Sequence, residues 1–290
     1  MSIPRKIFQT WETHTLPPLL QQNQEHLKQQ NPRFQHRLFD DQDCYDYIEE
    51  HYDERTLRAY RTLLPGAYRA DLWRYCVLYR EGGIYLDVGI DVVDDFRFLQ
   101  LTEQEHFVRD TDYSGGGIYN AFMVALPGNT EIGQAIEQVI QNVESNYYGE
   151  SCLSPTGPLM LLEIIRSNVT MYHAYHRWNY FKRNERGVVY RGKLILNQPL
   201  TSRSVKEKTI SRYHIKWENR NIYRTRIPKT IYQTFRNRNF PHSIQQIIKH
   251  NKKLCPDCCF KFFDDQDCER YIEQNFDAPT YRAYRSINPK

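Results

Sequence analysis

The chain has 290 residues, of which 40% are apolar and 14% aromatic, including 22 tyrosines. This composition can bury a core, which excludes a disordered or fibrous protein and suits one large α/β domain plus a smaller unit. The formal net charge of +4 comes from interleaved acids and bases, so it does not indicate a nucleic-acid-binding protein.

The location of the chain is predicted from its apolar runs and its cysteines. No run approaches the ~18 apolar residues that span a bilayer, and the first six residues lack the apolar core of a secretory signal. The seven cysteines are odd in number and scattered, which favours reduced thiols and a cytoplasmic location. The lone Cys255-Pro256-Asp257-Cys258 motif lacks the second ligand pair that a structural zinc site needs. We therefore expect no signal peptide, no membrane span and no zinc site.

The first predicted elements alternate between strand and helix. In chain order they are a strand over Lys6–Thr10, a helix over Leu19–Gln30 and a strand over Phe34–Phe39. The carboxylates of residues 40–43 follow, and we interpret them as caps for a helix that starts near Cys44.

The next predicted pair is a helix over Tyr68–Arg80 and a strand over Ile84–Leu86, separated by Gly82-Gly83. Alternating strands and helices predict an α/β fold with a mostly parallel central sheet and helices on both faces. Ligands of such sheets bind beyond the carboxyl ends of the strands, where Asp87 lies.

An internal repeat organises the chain. Residues 3–65 align without gaps on residues 227–289, at an offset of 227 − 3 = 224, and about 27 of the 63 pairs are identical. We predict one domain over residues 1–222 and, over residues 223–290, a partial N-terminal repeat of a second, truncated unit. Either the chain was cut from a longer tandem protein or the second copy is vestigial. Exchange of the second copy between two chains would give a homodimer.

The segment over residues 70–87, which runs from Ala70-Asp71 through Gly82-Gly83 to Asp87, resembles the sugar-binding segment of glycosyltransferase family 32. The opening residues 3–11, the Asn120-Ala121-Phe122-Met123 motif and the Thr156-Gly157-Pro158 motif are similar to other motifs of that family, so the resemblance covers residues 3–217. It implies the GT-A fold, a Rossmann-like nucleotide-diphospho-sugar transferase fold.

The resemblance also implies residue roles. Asp71 and Arg74 lie one helical turn apart and match residues that contact the donor in relatives, and Trp11 or Phe8 would stack on the nucleotide base. The predicted donor-binding residues are Phe8, Gln9, Thr10, Trp11, Asp71, Arg74, Tyr85 and Asp87. The predicted catalytic residues are Asp87, Asp91 and Asn120, with Asn120 bonding a sugar hydroxyl.

A divalent cation, Mn²⁺ or Mg²⁺, is the implied cofactor, because it would neutralise the departing diphosphate as a Lewis acid. The predicted ligands are Asp87, Asp91 and His214. The family motif is Asp-x-Asp, whereas here Gly89 stands where the second carboxylate is expected, and a bulge there would swing Asp91 into the site. This departure leaves a weak, metal-independent or inactive enzyme as alternatives.

The function predicted from these residues is a metal-assisted, retaining hexosyltransferase. It would move a hexose from UDP- or GDP-hexose to a hydroxyl of a glycan or protein. Asp110 and Asp112 are acceptor-side candidates, and residues 172–193 would form an acceptor lid. Two alternatives stay open: a non-catalytic protein that binds glycans or nucleotide sugars, and nucleic-acid binding through residues 172–226.

Overall fold

The computed structural model describes residues 2–93, 96–110, 116–175, 186–198, 213–224, 230–256 and 258–287. The chain divides into two compact units, Met1–Arg224 and Thr225–Lys290. The division falls two residues after the boundary predicted from the repeat. None of the described helices is long and apolar enough to cross a bilayer.

The first unit contains strands and helices in mixed order. Its strands are β1 (Lys6–Thr10), β2 (Gln35–Phe39), β3 (Gly83–Leu86), β4 (Asp91–Val92), β5 (Phe107–Asp110), β6 (Gly117–Ile118), β7 (Phe122–Ala125), β8 (Val169–Tyr175), β9 (Arg186–Tyr190) and β10 (Lys193–Gln198). Its helices are α1 (Pro18–Gln30), α2 (Asp41–His51), α3 (Glu54–Thr62), α4 (Gly66–Glu81), α5 (Thr130–Glu144), α6 (Pro158–Ile164) and α7 (Tyr213–Glu218).

The four-stranded sheet has the order β2-β1-β3-β7. Strand β1 runs parallel to β2 and to β3, with Phe8 opposite both Arg37 and Tyr85, while β7 is antiparallel to β3. The predicted α/β fold with a mostly parallel central sheet is therefore confirmed. The carboxyl ends of β1, β2 and β3 meet at one edge, which is where such sheets bind ligands.

Helices cover both faces of this sheet. On one face Phe8, Tyr85 and Met123 share a buried cluster with residues of α2 to α5. On the other face Ile7 and Ile84 pack with residues of α1 and with a second sheet. This packing fixes the carboxyl ends of the strands in a rigid frame.

The second sheet has six strands in the order β4-β10-β9-β8-β5-β6, and all its pairs are antiparallel except β5 with β8. This sheet was not among the elements predicted from the sequence. The predicted acceptor lid over residues 172–193 contributes β8 and β9 at its two ends, and its middle, residues 176–185, lies outside the described residues.

Two glycines allow the sharp reversal from α4 into β3. Gly82 has φ +61°, and a Cβ there would lie 2.5 Å from Cδ of Pro127. Gly83 has φ +113°, and a Cβ there would lie 2.8 Å from the carbonyl oxygen of Lys6. Only glycine tolerates both the backbone angles and the close approach, so this pair sets the direction in which β3 delivers Asp87.

The acidic segment after β2 caps α2, as interpreted from the sequence. The Asp40 carboxylate accepts hydrogen bonds from the backbone N–H groups of Gln42 and Asp43, and the Asp43 carboxylate accepts one from the N–H of Asp40. The helix begins at Asp41, three residues earlier than expected.

The second unit contains β11 (Thr230–Thr234), α8 (His242–Leu254), β12 (Cys259–Phe263), α9 (Asp265–Asn275) and α10 (Ala278–Ile287). Strands β11 and β12 are parallel, and the bounds of the first four elements equal those of β1, α1, β2 and α2 plus 224. Burial differs between the units. Tyr232 is 63% exposed where its counterpart Phe8 is 0% exposed, and Ile287 is 78% exposed where Leu63 is 1% exposed.

Candidate functional site

A cavity of about 400 Å³ lies where β1 and β3 end, and we call it the Asp87 pocket. Its volume falls in the usual range of small-ligand sites, about 300–1,000 Å³. Its lining residues are Thr10, Trp11, Glu12, Asp41, Leu64, Gly66, Ala67, Arg69, Ala70, Arg74, Tyr85, Asp87 and Lys216. Five of the predicted site residues are among them.

Asp87 follows β3 directly and lines the pocket with a partly exposed carboxylate. Its backbone N–H donates to the carbonyl of Ala121 at 2.9 Å, which holds the end of β3 against the residues before β7. Its Oδ1 accepts a hydrogen bond from the hydroxyl of Tyr85 at 2.8 Å and lies 3.5 Å from Nη1 of Arg74. The carboxylate therefore has a fixed orientation beside a buried cation.

Arg74 is a buried guanidinium whose position is set by three contacts. Its Nη1 donates to the carbonyl of Asn120 at 2.7 Å, its Nε donates to the carbonyl of Ala70 at 3.2 Å, and its plane lies 4.3 Å from the centre of the Tyr85 ring. A guanidinium held in this way loses little conformational entropy on binding phosphate or sugar oxygens. Arg74 thus offers a preorganised positive charge to a ligand in the pocket.

Asp71 and Asn120 lie beneath the pocket and do not line it. Asp71 accepts hydrogen bonds from the Asn120 amide at 2.9 Å and from the Thr156 hydroxyl at 2.7 Å, and it lies 3.4 Å from Arg74 Nη2. Asn120 also donates to the hydroxyl of Tyr75 at 2.9 Å. Asp71 and Asn120, which were predicted to contact the donor, therefore lie against Arg74 beneath the pocket.

Burial governs the acidity of Asp71. It raises the pKa of the carboxyl to about 6, although the Arg74 guanidinium and the hydrogen bonds from Thr156 and Asn120 oppose the shift. The ionised form that pairs with Arg74 is thus only modestly favoured at neutral pH.

Strand β1 contributes residues to the Asp87 pocket from its carboxyl end and not from its middle. Phe8 and Gln9 are buried and do not line the pocket, because the Phe8 ring packs among the core aromatics of the helical face. Phe8, which was predicted as one of two residues that would stack on the base, therefore lies in the core and not at the pocket. Thr10 and Trp11 do line the pocket, and Trp11 packs beside Val88 from the turn after β3.

The three predicted metal ligands are not brought together. Asp91 lies on β4, where its Oδ1 is 2.8 Å from Nδ1 of His26 and accepts the N–H of Val92. The turn at Gly89 does not swing it into the pocket. His214 is exposed on α7 and does not line the pocket either. Asp87 alone of the three faces the cavity.

Within the described part of the chain, one group of three candidate metal-ligating atoms lies within 4.8 Å of one another, and it consists of His14, Asp40 and Asp43. A similar contact occurs in the second unit. Arg238 stands 224 residues after His14, and its guanidinium contacts the two capping aspartates of α9 at 2.7 and 3.3 Å. Since a permanent cation occupies the same position in the second unit, we interpret the group as a polar contact of His14 with the capping carboxylates of α2 and not as a metal site.

Two basic residues of the pocket were missed from the sequence. Arg69 donates to Asp41 Oδ2 at 2.8 Å and to the carbonyl of Leu64 at 3.3 Å. Lys216 reaches the pocket from α7, two residues after the predicted ligand His214. A single helical turn gives no periodicity from which the inward-facing residue could be identified.

The acceptor-side candidates have separate outcomes. Asp110 Oδ1 lies 2.9 Å from Nδ1 of the buried His173, whose ring stacks on Tyr119 at 4.2 Å, and Asp110 does not line the Asp87 pocket. Asp112 lies outside the described residues.

Comparison with known sequences identifies the region around this pocket. Residues 17–108 match the family model described as "Glycosyltransferase sugar-binding region containing DXD motif", which confirms the resemblance to glycosyltransferase family 32. The matched range includes Asp71, Arg74 and Asp87. Together with the parallel β2-β1-β3 core, it agrees with the GT-A fold class predicted from the sequence.

Among curated proteins, the "Initiation-specific alpha-1,6-mannosyltransferase" of Candida albicans is 30% identical over 102 residues, which are 32% of this chain and 26% of that protein. The "Inositol phosphoceramide mannosyltransferase 3" of Schizosaccharomyces pombe is 30% identical over 162 residues, which are 55% of this chain and 44% of that protein. The chain thus spans between a quarter and a half of the length of these relatives. A solved structure titled "PaToxG Glycosyltransferase" aligns with a TM-score of 0.45 and 17% identity, over 56% of this chain and 69% of that one.

Proposed function

We propose, from the match of residues 17–108 to the DXD-containing glycosyltransferase family, that this protein transfers a hexose from a nucleotide-diphosphate donor to a hydroxyl acceptor. The observation that carries the proposal is the pairing of Asp87 with the fixed guanidinium of Arg74 in one cavity at the carboxyl ends of parallel strands. The names of the relatives make mannose the first hexose to test.

The donor would lie in the Asp87 pocket. Arg74 would attract phosphate or sugar oxygens where it lines the pocket, while Asp87 would accept a hydrogen bond from a donor hydroxyl. Trp11 would pack against the nucleotide base at the end of β1. These contacts position the anomeric carbon and stabilise charge on the departing diphosphate, which are the two largest contributions available to this pocket.

We propose that transfer retains the anomeric configuration. The bond between the anomeric carbon and the diphosphate oxygen breaks, and the acceptor oxygen forms its bond on the same face. The acceptor proton passes to the departing phosphate oxygen. This route needs no covalent nucleophile, so none of the three carboxylates of the described lining, Glu12, Asp41 and Asp87, is assigned that role.

The divalent cation implied by the family does not fit the residues found here. Its second motif carboxylate is replaced by Gly89, and neither Asp91 nor His214 lines the pocket. Of the three predicted ligands only Asp87 lines the pocket, and its Oδ1 already contacts Tyr85 and Arg74. The lining also contains Glu12 and Asp41, but Asp41 is paired with Arg69 at 2.8 Å, and the one group of three close ligand atoms among the described residues does not include Asp87. No step of the proposed reaction is therefore assigned to a metal.

The same observation favours a second candidate function, a protein that binds nucleotide sugars without turnover. Measurements of donor binding and of donor consumption distinguish the two functions. A protein that only binds is stabilised against unfolding by the donor but leaves the donor intact. A glycosyltransferase also hydrolyses or transfers the sugar.

We also propose that residues 227–290 are a partial second copy of the N-terminal part of the first unit. Equal spacing of four successive elements supports this, as does the repeated capping box of Asp264 and Asp267 at the start of α9. The described residues of the second unit include no counterpart of α4 or β3. We therefore assign donor binding to the first unit.

The test is a screen of UDP- and GDP-hexoses by thermal unfolding and by donor consumption. A donor at 100 times its Kd stabilises the protein by about 2.7 kcal/mol, and Arg74→Ala is expected to abolish that stabilisation. Arg80→Ala is the matched control, because Arg80 lies exposed on the same helix. Equal stabilisation of both variants would refute the assignment of the donor to the Asp87 pocket.

A further inference from the structure

The Asp87 pocket contains three basic side chains whose roles differ. Arg69 is paired with Asp41 at 2.8 Å, and Arg74 is paired with Asp87 at 3.5 Å. Lys216 makes no ion pair with any residue in the part of the chain that the structure describes, and its side chain is half-buried in the lining. The third carboxylate of the lining belongs to Glu12.

Lys216 is held at the pocket by the segment that follows α7. The Leu64 N–H donates to the carbonyl of Ile222 at 2.9 Å, and Leu63 forms an antiparallel bridge with Tyr223. The indole N–H of Trp217, the residue next to Lys216, donates to the carbonyl of Tyr148 at 2.7 Å. The backbone that carries Lys216 is therefore held by contacts made within its helix and just after it.

Asp87, the carboxylate expected to bind a divalent cation, already lies beside the positive charge of Arg74. Oδ1 of Asp87 lies 3.5 Å from a guanidinium nitrogen of Arg74 and accepts the Tyr85 hydroxyl. A divalent ion on this carboxylate would lie close to the Arg74 charge and would be repelled by it. A diphosphate, in contrast, is attracted by both Arg74 and Lys216.

We propose that Arg74 and Lys216 hold the diphosphate of the donor in place of a divalent cation, so that this protein binds its donor without metal. The inference rests on the proposed function and deepens it. Arg74 attracts the diphosphate with its buried positive charge, and Lys216 stabilises the charge that develops on the phosphate oxygen as the bond to the anomeric carbon breaks. That oxygen then takes the proton of the acceptor hydroxyl.

The experiment is calorimetric titration of GDP and of UDP into the full chain, once with EDTA and once with Mn²⁺. The expected result is that the Kd of the bound nucleotide differs by less than about threefold between the two conditions. Lys216→Ala is expected to weaken binding by at least about tenfold under both conditions, and Lys216→Arg to restore most of it. Lys193→Ala, which removes an exposed lysine of β10, is the charge-matched control and should leave the Kd unchanged.

The outcomes separate the two proposals. Nucleotide binding that requires Mn²⁺, or equal Kd values for the Lys216→Ala and Lys193→Ala variants, would overturn the metal-free inference and leave the glycosyltransferase proposal intact. Absence of binding by both nucleotides under both conditions would overturn both. Circular dichroism of each variant establishes that a lost affinity is not lost folding.

Discussion

The buried carboxyl of Asp71 makes the stability of the first unit depend on pH in a way that one substitution should remove. Burial raises the pKa of this group from 3.8 to about 6. Between these values the folded protein holds a proton that the unfolded chain has released, so stability falls as pH rises from about 4 to about 6. Well below pH 4 the full stabilising contribution of Asp71 is present, and well above pH 6 that contribution has been lost.

The size of the effect follows from the shift. About two pKa units correspond to about 3 kcal/mol, at about 1.4 kcal/mol for each unit. Asp71→Asn keeps the shape of the side chain and cannot ionise, so this contribution vanishes in the variant. Because pH 4 lies within the titration range of the unfolded chain, the difference in unfolding free energy, wild type minus variant, should fall by about 2 kcal/mol between pH 4 and pH 6.5.

Urea unfolding followed by tryptophan fluorescence measures this difference. All four tryptophans lie within residues 1–224, so the signal reports the first unit alone. Other carboxylates titrate equally in both proteins and cancel in the subtraction. Parallel stability curves for the wild type and Asp71→Asn would refute the buried network beneath Arg74.

Three further substitutions test the frame of the site. Tyr85→Phe removes the hydroxyl that donates to Asp87 at 2.8 Å. Titration calorimetry should show that the variant binds the donor about tenfold more weakly. An unchanged Kd would show that this hydrogen bond does not contribute to donor binding. Thr156→Val deletes the hydroxyl that donates to Asp71. Urea unfolding at pH 7 should show a loss of about 1–3 kcal/mol in unfolding free energy, and this loss should be smaller at pH 4. A loss that does not depend on pH would contradict the network. Gly82→Ala places a Cβ 2.5 Å from Pro127. It should lower stability by more than Gly128→Ala, because Gly128 also has a positive φ, +74°, but has no atom within 4 Å of the position that a Cβ would take. Equal losses of stability would show that the backbone angle alone matters.

Local sequence patterns were sufficient to predict the strands and the helix that position Thr10, Arg74 and Asp87. Lys6–Thr10 and Tyr68–Arg80 have the apolar periods of a strand and a helix, and the structure contains both elements within two residues of the predicted bounds. Asp87 was predicted at a strand end because Gly82-Gly83 and the short apolar run mark that end. Such signals are encoded within about 20 residues of chain.

The rest of the site depends on contacts that no local pattern encodes. Asp91 is two residues from Gly89, yet its direction is set by the pairing of β4 with β10, where Asp91 lies opposite Asn197. Lys216 reaches the pocket because the chain after α7 bridges to Leu63. The six-stranded sheet joins segments as distant as β4 and β10, so its existence follows from tertiary pairing and not from periodicity.

The central claim, that a nucleotide-sugar donor binds where β1 and β3 end, is tested most directly by a crystal structure of the full chain grown with GDP or UDP. Electron density for the diphosphate is expected within about 3 Å of the Arg74 guanidinium and the Lys216 ammonium group. Nucleotide density elsewhere on the protein, with the Asp87 pocket holding only water, would contradict it.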